Sequence, residues 1–65
     1  MILADKIIDL RKKNGWSQEE LAEKLGVSRQ AISKWETGEA EPEIKKLRLL
    51  AEAFGVTTDW LLSEE

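Results

Sequence analysis

The sequence predicts an all-α domain of five short helices, and three features predict it. Trp16-Ser17 to Leu21, Val27-Ser28 to Ile32 and Val56-Thr57 to Leu61 share one design: apolar residue, hydroxyl, three residues, apolar residue. Elsewhere apolar residues recur at steps of three and four and stop at glycine. No stretch alternates as a half-buried strand does, and no linker or low-complexity run divides residues 1–65, so they read as one domain.

Leu3, Ile7 and Leu10 set the first helix, Leu3 to Lys13, and Asn14-Gly15 ends it as a left-handed stop. Asp5 and Asp9 sit early in it and Arg11, Lys12 and Lys13 late, as the helix dipole favours. In the three hydroxyl segments the side chain caps free backbone donors and the flanking apolar pair closes over it as a staple. These starts predict helices near 18–25, 29–37 and 58–63, with Ser17 and Glu20 completing a capping box. Pro42 suits the first turn of a further helix. Ile44, Leu47, Leu50, Ala51 and Phe54 give that helix its apolar stripe and Gly55 its stop. Trp16 and Trp35 fall at staple and core positions. Trp60, Leu61 and Leu62 cannot all be buried by so short a last helix, so part of that trio is expected to form an exposed patch.

Hydrophobic content of 42% against 35% charged residues fits a folded domain rather than a disordered tail. The chain has no histidine and no cysteine, so the usual general base, the thiol nucleophile and the usual zinc ligands are missing. No phosphate-cradling glycine loop stands in for them. We therefore expect no enzyme, no metal, no cofactor and no small-molecule substrate. No apolar run is long enough to span a membrane, and a cytoplasmic setting is expected. The net charge of −3 argues against a nucleic-acid partner, but the charges are clustered. Arg11–Lys13 and Lys45, Lys46 and Arg48 form two basic groups; Glu19, Glu20 and Glu23, then Glu39, Glu41 and Glu43, and the Glu64-Glu65 tail hold the acids. Such a distribution permits a positive face.

The stretch QEELAEKLGVSRQAISKWET, Gln18 to Thr37, organises the rest. Ala22 is small where the next helix must approach, Gly26 follows four residues later and allows the chain to reverse, and Ile32 comes six further on. This is the spacing of a helix-turn-helix. On a helical wheel Ile32, Trp35 and Glu36 share one side of the second helix of the pair. Gln30, Ser33, Lys34 and Thr37 share the other, and Arg29 stands in the exposed first turn.

SQEELAEKLGVSRQAISKWETG, with LRKKNG before it and GVTTDWLL after it, resembles the Cro and repressor-type helix-turn-helix family of DNA-binding transcriptional regulators. The resemblance covers nearly the whole chain and implies a five-helix fold of the phage-repressor type. It implies that the 29–37 helix enters the major groove of double-stranded DNA, with Arg29, Gln30, Ser33 and Lys34 meeting base edges. Gln30 offers a bidentate amide to adenine and Arg29 a fork to guanine, each good pair being worth about 1–3 kcal/mol of discrimination. Gln18 at its helix start is expected on a phosphate, with Ser17, Ser28, Thr37, Lys45 and Lys46 as further phosphate contacts. Arg11 and Glu36 are expected as a buried ion pair with a structural role. The chain departs from the family at Glu39-Ala40-Glu41-Pro42-Glu43, where basic residues often meet the backbone, so no side-chain contacts are expected from that loop. A transcriptional regulator, or an isolated or engineered DNA-binding module, is the leading expectation, with a homodimer through Trp60, Leu61 and Leu62. The alternative is an antitoxin-like protein-interaction module using the last helix.

Overall fold

The computed structural model describes residues 1–64. Glu65, counted above with the acidic tail, lies outside the described residues. Five helices follow one another: α1 Leu3–Lys13, α2 Gln18–Leu25, α3 Arg29–Thr37, α4 Ile44–Phe54 and α5 Thr58–Leu62. No strand occurs among the described residues. α3 packs on α2 and α1, α4 on α2 and α5, and α5 closes back on α1.

The caps explain why the boundaries fall where they do. Ser17, Ser28 and Thr57 hold extended backbone, and their hydroxyl oxygens accept from the N–H groups of Glu20, Ala31 and Trp60 at 3.0–3.1 Å. The Glu20 carboxylate accepts in return from the Ser17 N–H at 2.9 Å, which closes the capping box. Each such cap stabilises its helix by about 1 kcal/mol. Leu21, Ile32 and Leu61, the inner members of the three staples, are fully buried.

One contiguous core gathers Ile7, Leu21, Ala22, Leu25, Ile32, Trp35, Leu47, Leu50, Ala51 and Leu61, with Leu10, Trp16 and Phe54 partly buried against it. The Trp16 ring stacks on Phe54 with centroids 5.8 Å apart, and Lys24 Nζ lies 4.5 Å from the centre of the Trp16 ring. Trp16 is therefore a wall of the core and not a platform for bases.

Three expectations require correction. Pro42 is not in the first turn of α4, because the N-cap is Glu43, and that cap makes no side-chain bond. Ile44 is 73% exposed and does not belong to the buried stripe, since it sits at the first position of α4, before the helix has turned onto α2. Leu61 is fully buried and cannot contribute to an exposed dimer patch; Trp60, at 38%, and Leu62, at 62%, take the outer positions.

A residue that periodicity does not mark closes the fold. Lys6 is 0% exposed, although Leu3 and Ile7 beside it are the recognisable apolar positions of α1. Its Nζ donates to the Trp60 carbonyl at 2.6 Å, the Ser63 carbonyl at 2.7 Å and Ser63 Oγ at 3.0 Å, and it lies 4.7 Å from the centre of the Trp60 ring. All three ammonium protons have partners, which allows the charge to be buried without a carboxylate. A cation at the C-terminal end of α5 also complements the helix dipole.

Candidate nucleic-acid interface

The turn between α2 and α3 presents the interface. Gly26 takes φ 68°, a left-handed conformation that L-residues adopt at a cost, and its chain reversal lets the Val27 N–H donate to the Ala22 carbonyl at 3.0 Å. Ala22 is buried where α3 crosses, so its methyl sets how closely the two helices approach. Ile32 and Trp35 hold the inner side of α3 in the core. That anchoring turns the other side of the helix outward.

On that outer side Arg29, Gln30, Lys34 and Thr37 are exposed and Ser33 is half-buried. Arg29, Gln30, Ser33 and Lys34 together line one shallow concavity of about 310 Å³, and Glu39 is its fifth wall. The four side chains assigned to base edges thus lie side by side on a rigid helix. They offer guanidinium, amide, hydroxyl and ammonium groups, the set of donors and acceptors that a major-groove edge can satisfy.

Behind this face lies a charged network. Arg11 Nε is 2.6 Å and Nη2 3.1 Å from the Glu36 carboxylate oxygens, and Arg11 Nη1 donates to the Trp16 carbonyl at 2.9 Å. Their side chains are 13% and 6% exposed, so the pair fixes the end of α1 against α3 in a largely dry setting. Gln18 Nε2 donates to Glu36 Oε1 at 2.9 Å, and Gln18 Oε1 accepts from Arg29 Nη1 at 3.4 Å. Each end of the Gln18 amide thus has one partner within the protein, and the second Nε2 proton has no partner among the described residues. The side chain links the ion pair to the first residue of α3, and its remaining N–H lies beside the free backbone N–H groups at the start of α2, where a phosphate can be met by both.

The remaining residues expected at phosphates divide. Ser17 and Ser28 use their oxygens as caps and keep a hydroxyl proton to donate. The single Thr37 hydroxyl proton has two acceptors within reach in the protein, the Lys34 carbonyl at 3.2 Å and Glu39 Oε1 at 3.1 Å, and is shared between them. Lys45 is exposed and Lys46 half-buried in the first turn of α4. The basic group at the end of α1 is reduced as well: Arg11 points into the ion pair, and Lys13 lies 3.2 Å from Asp9. Near the start of α2 the Ser17 backbone N–H, followed by the Ser17 hydroxyl and the Lys24 charge, holds the Glu20 carboxyl below its ordinary value of 4.5.

Glu39 lines the concavity on the outer side of α3, although the sequence places it in an acidic loop from which no side-chain contacts are expected. Gly38 takes φ 81° at the end of α3, and the Ala40 N–H closes back onto the Lys34 carbonyl at 3.3 Å. This reversal brings Glu39 alongside the last turn of α3. A glycine directly after Thr37 was the available signal.

Comparison with known proteins agrees with this geometry. A family profile described as Helix-turn-helix matches residues 7–61. The HTH-type transcriptional activator BcrR of Enterococcus faecalis is 48% identical over 61 residues, which are 94% of this chain and 30% of the activator. The crystal structure of the P22 c2 repressor in complex with a synthetic operator superposes with a TM-score of 0.94 at 35% identity, covering 100% of this chain and 98% of that one. The biofilm regulator SinR in complex with DNA gives a TM-score of 0.87 at 32% identity, covering 95% and 100%. The chain spans about a third to a half of the length of the curated regulators that it matches, 30%, 56% and 53% for three of them. Its five helices are those of the phage-repressor DNA-binding domains. With the match running from α1 into α5 and the α2–α3 turn built as described, the chain belongs to the helix-turn-helix family.

Proposed function

We propose that this chain is a sequence-specific double-stranded DNA-binding module of a cytoplasmic transcriptional regulator, which reads the major groove with α3 and carries out no chemistry. One observation carries the reading: Arg29, Gln30, Ser33 and Lys34 share the outward side of a helix whose inner side is locked into the core. The structural likeness to a repressor and a regulator each described in complex with DNA supports it. Backbone amides at the start of α2, with Ser17, Ser28, Lys45 and Lys46, hold register on phosphates. Gln30 pairs with adenine, Arg29 and Lys34 take guanine, and Ser33 adds a hydroxyl.

Two copies on adjacent half-sites are part of the proposal. Leu62 is exposed and shares a surface depression with the exposed Met1 and Ile2, and Trp60 on the same short helix is exposed as well. An apolar patch of that kind favours pairing.

A salt titration of duplex affinity tests the DNA reading. Each phosphate neutralised contributes a slope of about −0.9 in log K against log salt, so with Lys45 and Lys46 engaged the slope is about −1.8 or steeper. Absence of binding to random and selected duplexes at low salt overturns the reading in favour of a protein-interaction module.

A further inference from the structure

We infer that Glu39 is a specificity-determining residue of the reading face, an acceptor that selects cytosine; this rests on the DNA reading proposed above. Glu39 shares the concavity of about 310 Å³ with Arg29, Gln30, Ser33 and Lys34. It is held there by the Gly38 reversal and by the Thr37 hydroxyl, whose single proton is shared between the carboxylate oxygen Oε1 at 3.1 Å and the Lys34 carbonyl at 3.2 Å. Oε2 accepts no hydrogen bond from the described residues. The carboxylate is also not spent on a neighbour: the ion pairs among the described residues are Arg11–Glu36 and Lys13–Asp9, and neither Arg29 nor Lys34 is paired with Glu39.

An ionised carboxylate can only accept. In the major groove the groups that donate are the amino groups of cytosine and adenine, whereas guanine and thymine present acceptors. Adenine places its N7 acceptor beside the amino group, where it opposes the second carboxylate oxygen, and cytosine does not. The carboxylate therefore favours cytosine N4. Arg29 and Lys34 in the same concavity supply donors for the O6 and N7 of guanine. The face thus carries both the donors and the acceptor that a G·C pair calls for. The same negative charge opposes close phosphate approach, so Glu39 lowers affinity for arbitrary sequence while it sharpens choice among sequences.

The test compares base preference by selection from a random duplex pool, and affinity for random duplex, in the intact chain, Glu39→Gln, Thr37→Val and Gln30→Ala. Glu39→Gln keeps the shape but makes the group both donor and acceptor. It is expected to tighten random-duplex binding and to weaken the cytosine preference at one position by roughly 5- to 150-fold, the size of one base contact. Thr37→Val keeps the charge but frees the carboxylate, and is expected to weaken that same preference without the gain in random binding. If Gln30→Ala shifts the selected motif while Glu39→Gln leaves every position unchanged, or only tightens all sequences alike, the role of Glu39 is refuted and the DNA reading stands. If no variant and no parent selects any motif, the DNA reading falls and this inference with it.

Discussion

Replacing Arg11 by Met should cost this domain much of its stability, and the structure indicates how much. The Glu36 carboxylate accepts three N–H bonds, at 2.6 and 3.1 Å from Arg11 and at 2.9 Å from Gln18, with the glutamate side chain only 6% exposed. Methionine fills much of the arginine volume but removes two of the three donors and the positive charge, leaving a buried carboxylate with one amide. Breaking a buried pair in this way costs about 3–5 kcal/mol. A domain of this length holds on the order of 3–10 kcal/mol in total, so the variant should stand near its unfolding midpoint in dilute urea. Arg11→Met combined with Glu36→Leu removes both charges and should return to within about 1 kcal/mol of the parent, a coupling of at least about 2 kcal/mol. Equilibrium urea unfolding of the parent, both single variants and the double variant gives these values, with a constant slope showing that the transition itself is unchanged. A cost below about 1 kcal/mol for Arg11→Met, or a double variant equal to the sum of the singles, refutes the assignment of the pair as the lock between α1 and α3.

Two further outcomes follow from contacts elsewhere. Lys6→Met preserves volume but takes three bonds from the end of α5; the Trp60 carbonyl keeps the Ser63 N–H and hydroxyl as donors, so the loss is about 1–2 kcal/mol, seen as a melting point lower by about 5–15 °C and as faster amide exchange in α5 than in α2. The Glu20 carboxyl is held below its ordinary 4.5 by the Ser17 N–H, the Ser17 hydroxyl and Lys24, so its contribution is fully present above the unfolded-state value and is lost as pH falls through the lower folded-state value. Glu20→Ala should therefore reduce stability more at neutral pH than in acid, measured by thermal melts between pH 2 and 7, whereas Ser17→Ala keeps the backbone N–H that holds the carboxylate and removes the hydroxyl cap; an equal loss for Glu20→Ala at both ends contradicts the box.

What could be read from the sequence was whatever rests on neighbours along the chain. Ser17, Ser28 and Thr57 announce α2, α3 and α5 because a cap and its staple span only six residues, and the predicted boundaries of α1, α2 and α3 coincide with those observed. The outward side of α3 was legible for the same reason, since Ile32 and Trp35 fix which side turns inward. What could not be read depends on partners brought together by the fold. Lys6 meets carbonyls more than fifty residues away, and a lysine on a helix wheel ordinarily reads as solvated. The link that Gln18 makes between Glu36 and Arg29 has no trace along the chain, because only the tertiary structure sets those two residues against its amide. Glu39 reads as a member of a repelling loop, and a single left-handed glycine brings it to the concavity on the outward side of α3. Leu61, one of three adjacent apolar residues, was separable from Trp60 and Leu62 only once α5 had docked on α1 and α4.

Selection of duplexes from a random pool by the intact chain and by Gln30→Ala tests the reading face most directly. The expected result is a short motif enriched by the intact chain, with an adenine preference at one position that Gln30→Ala weakens by about 1–3 kcal/mol while flanking positions persist. Enrichment of the same motif with the same adenine preference by both chains, or no enrichment by the intact chain, contradicts the assignment of α3 as the element that reads DNA.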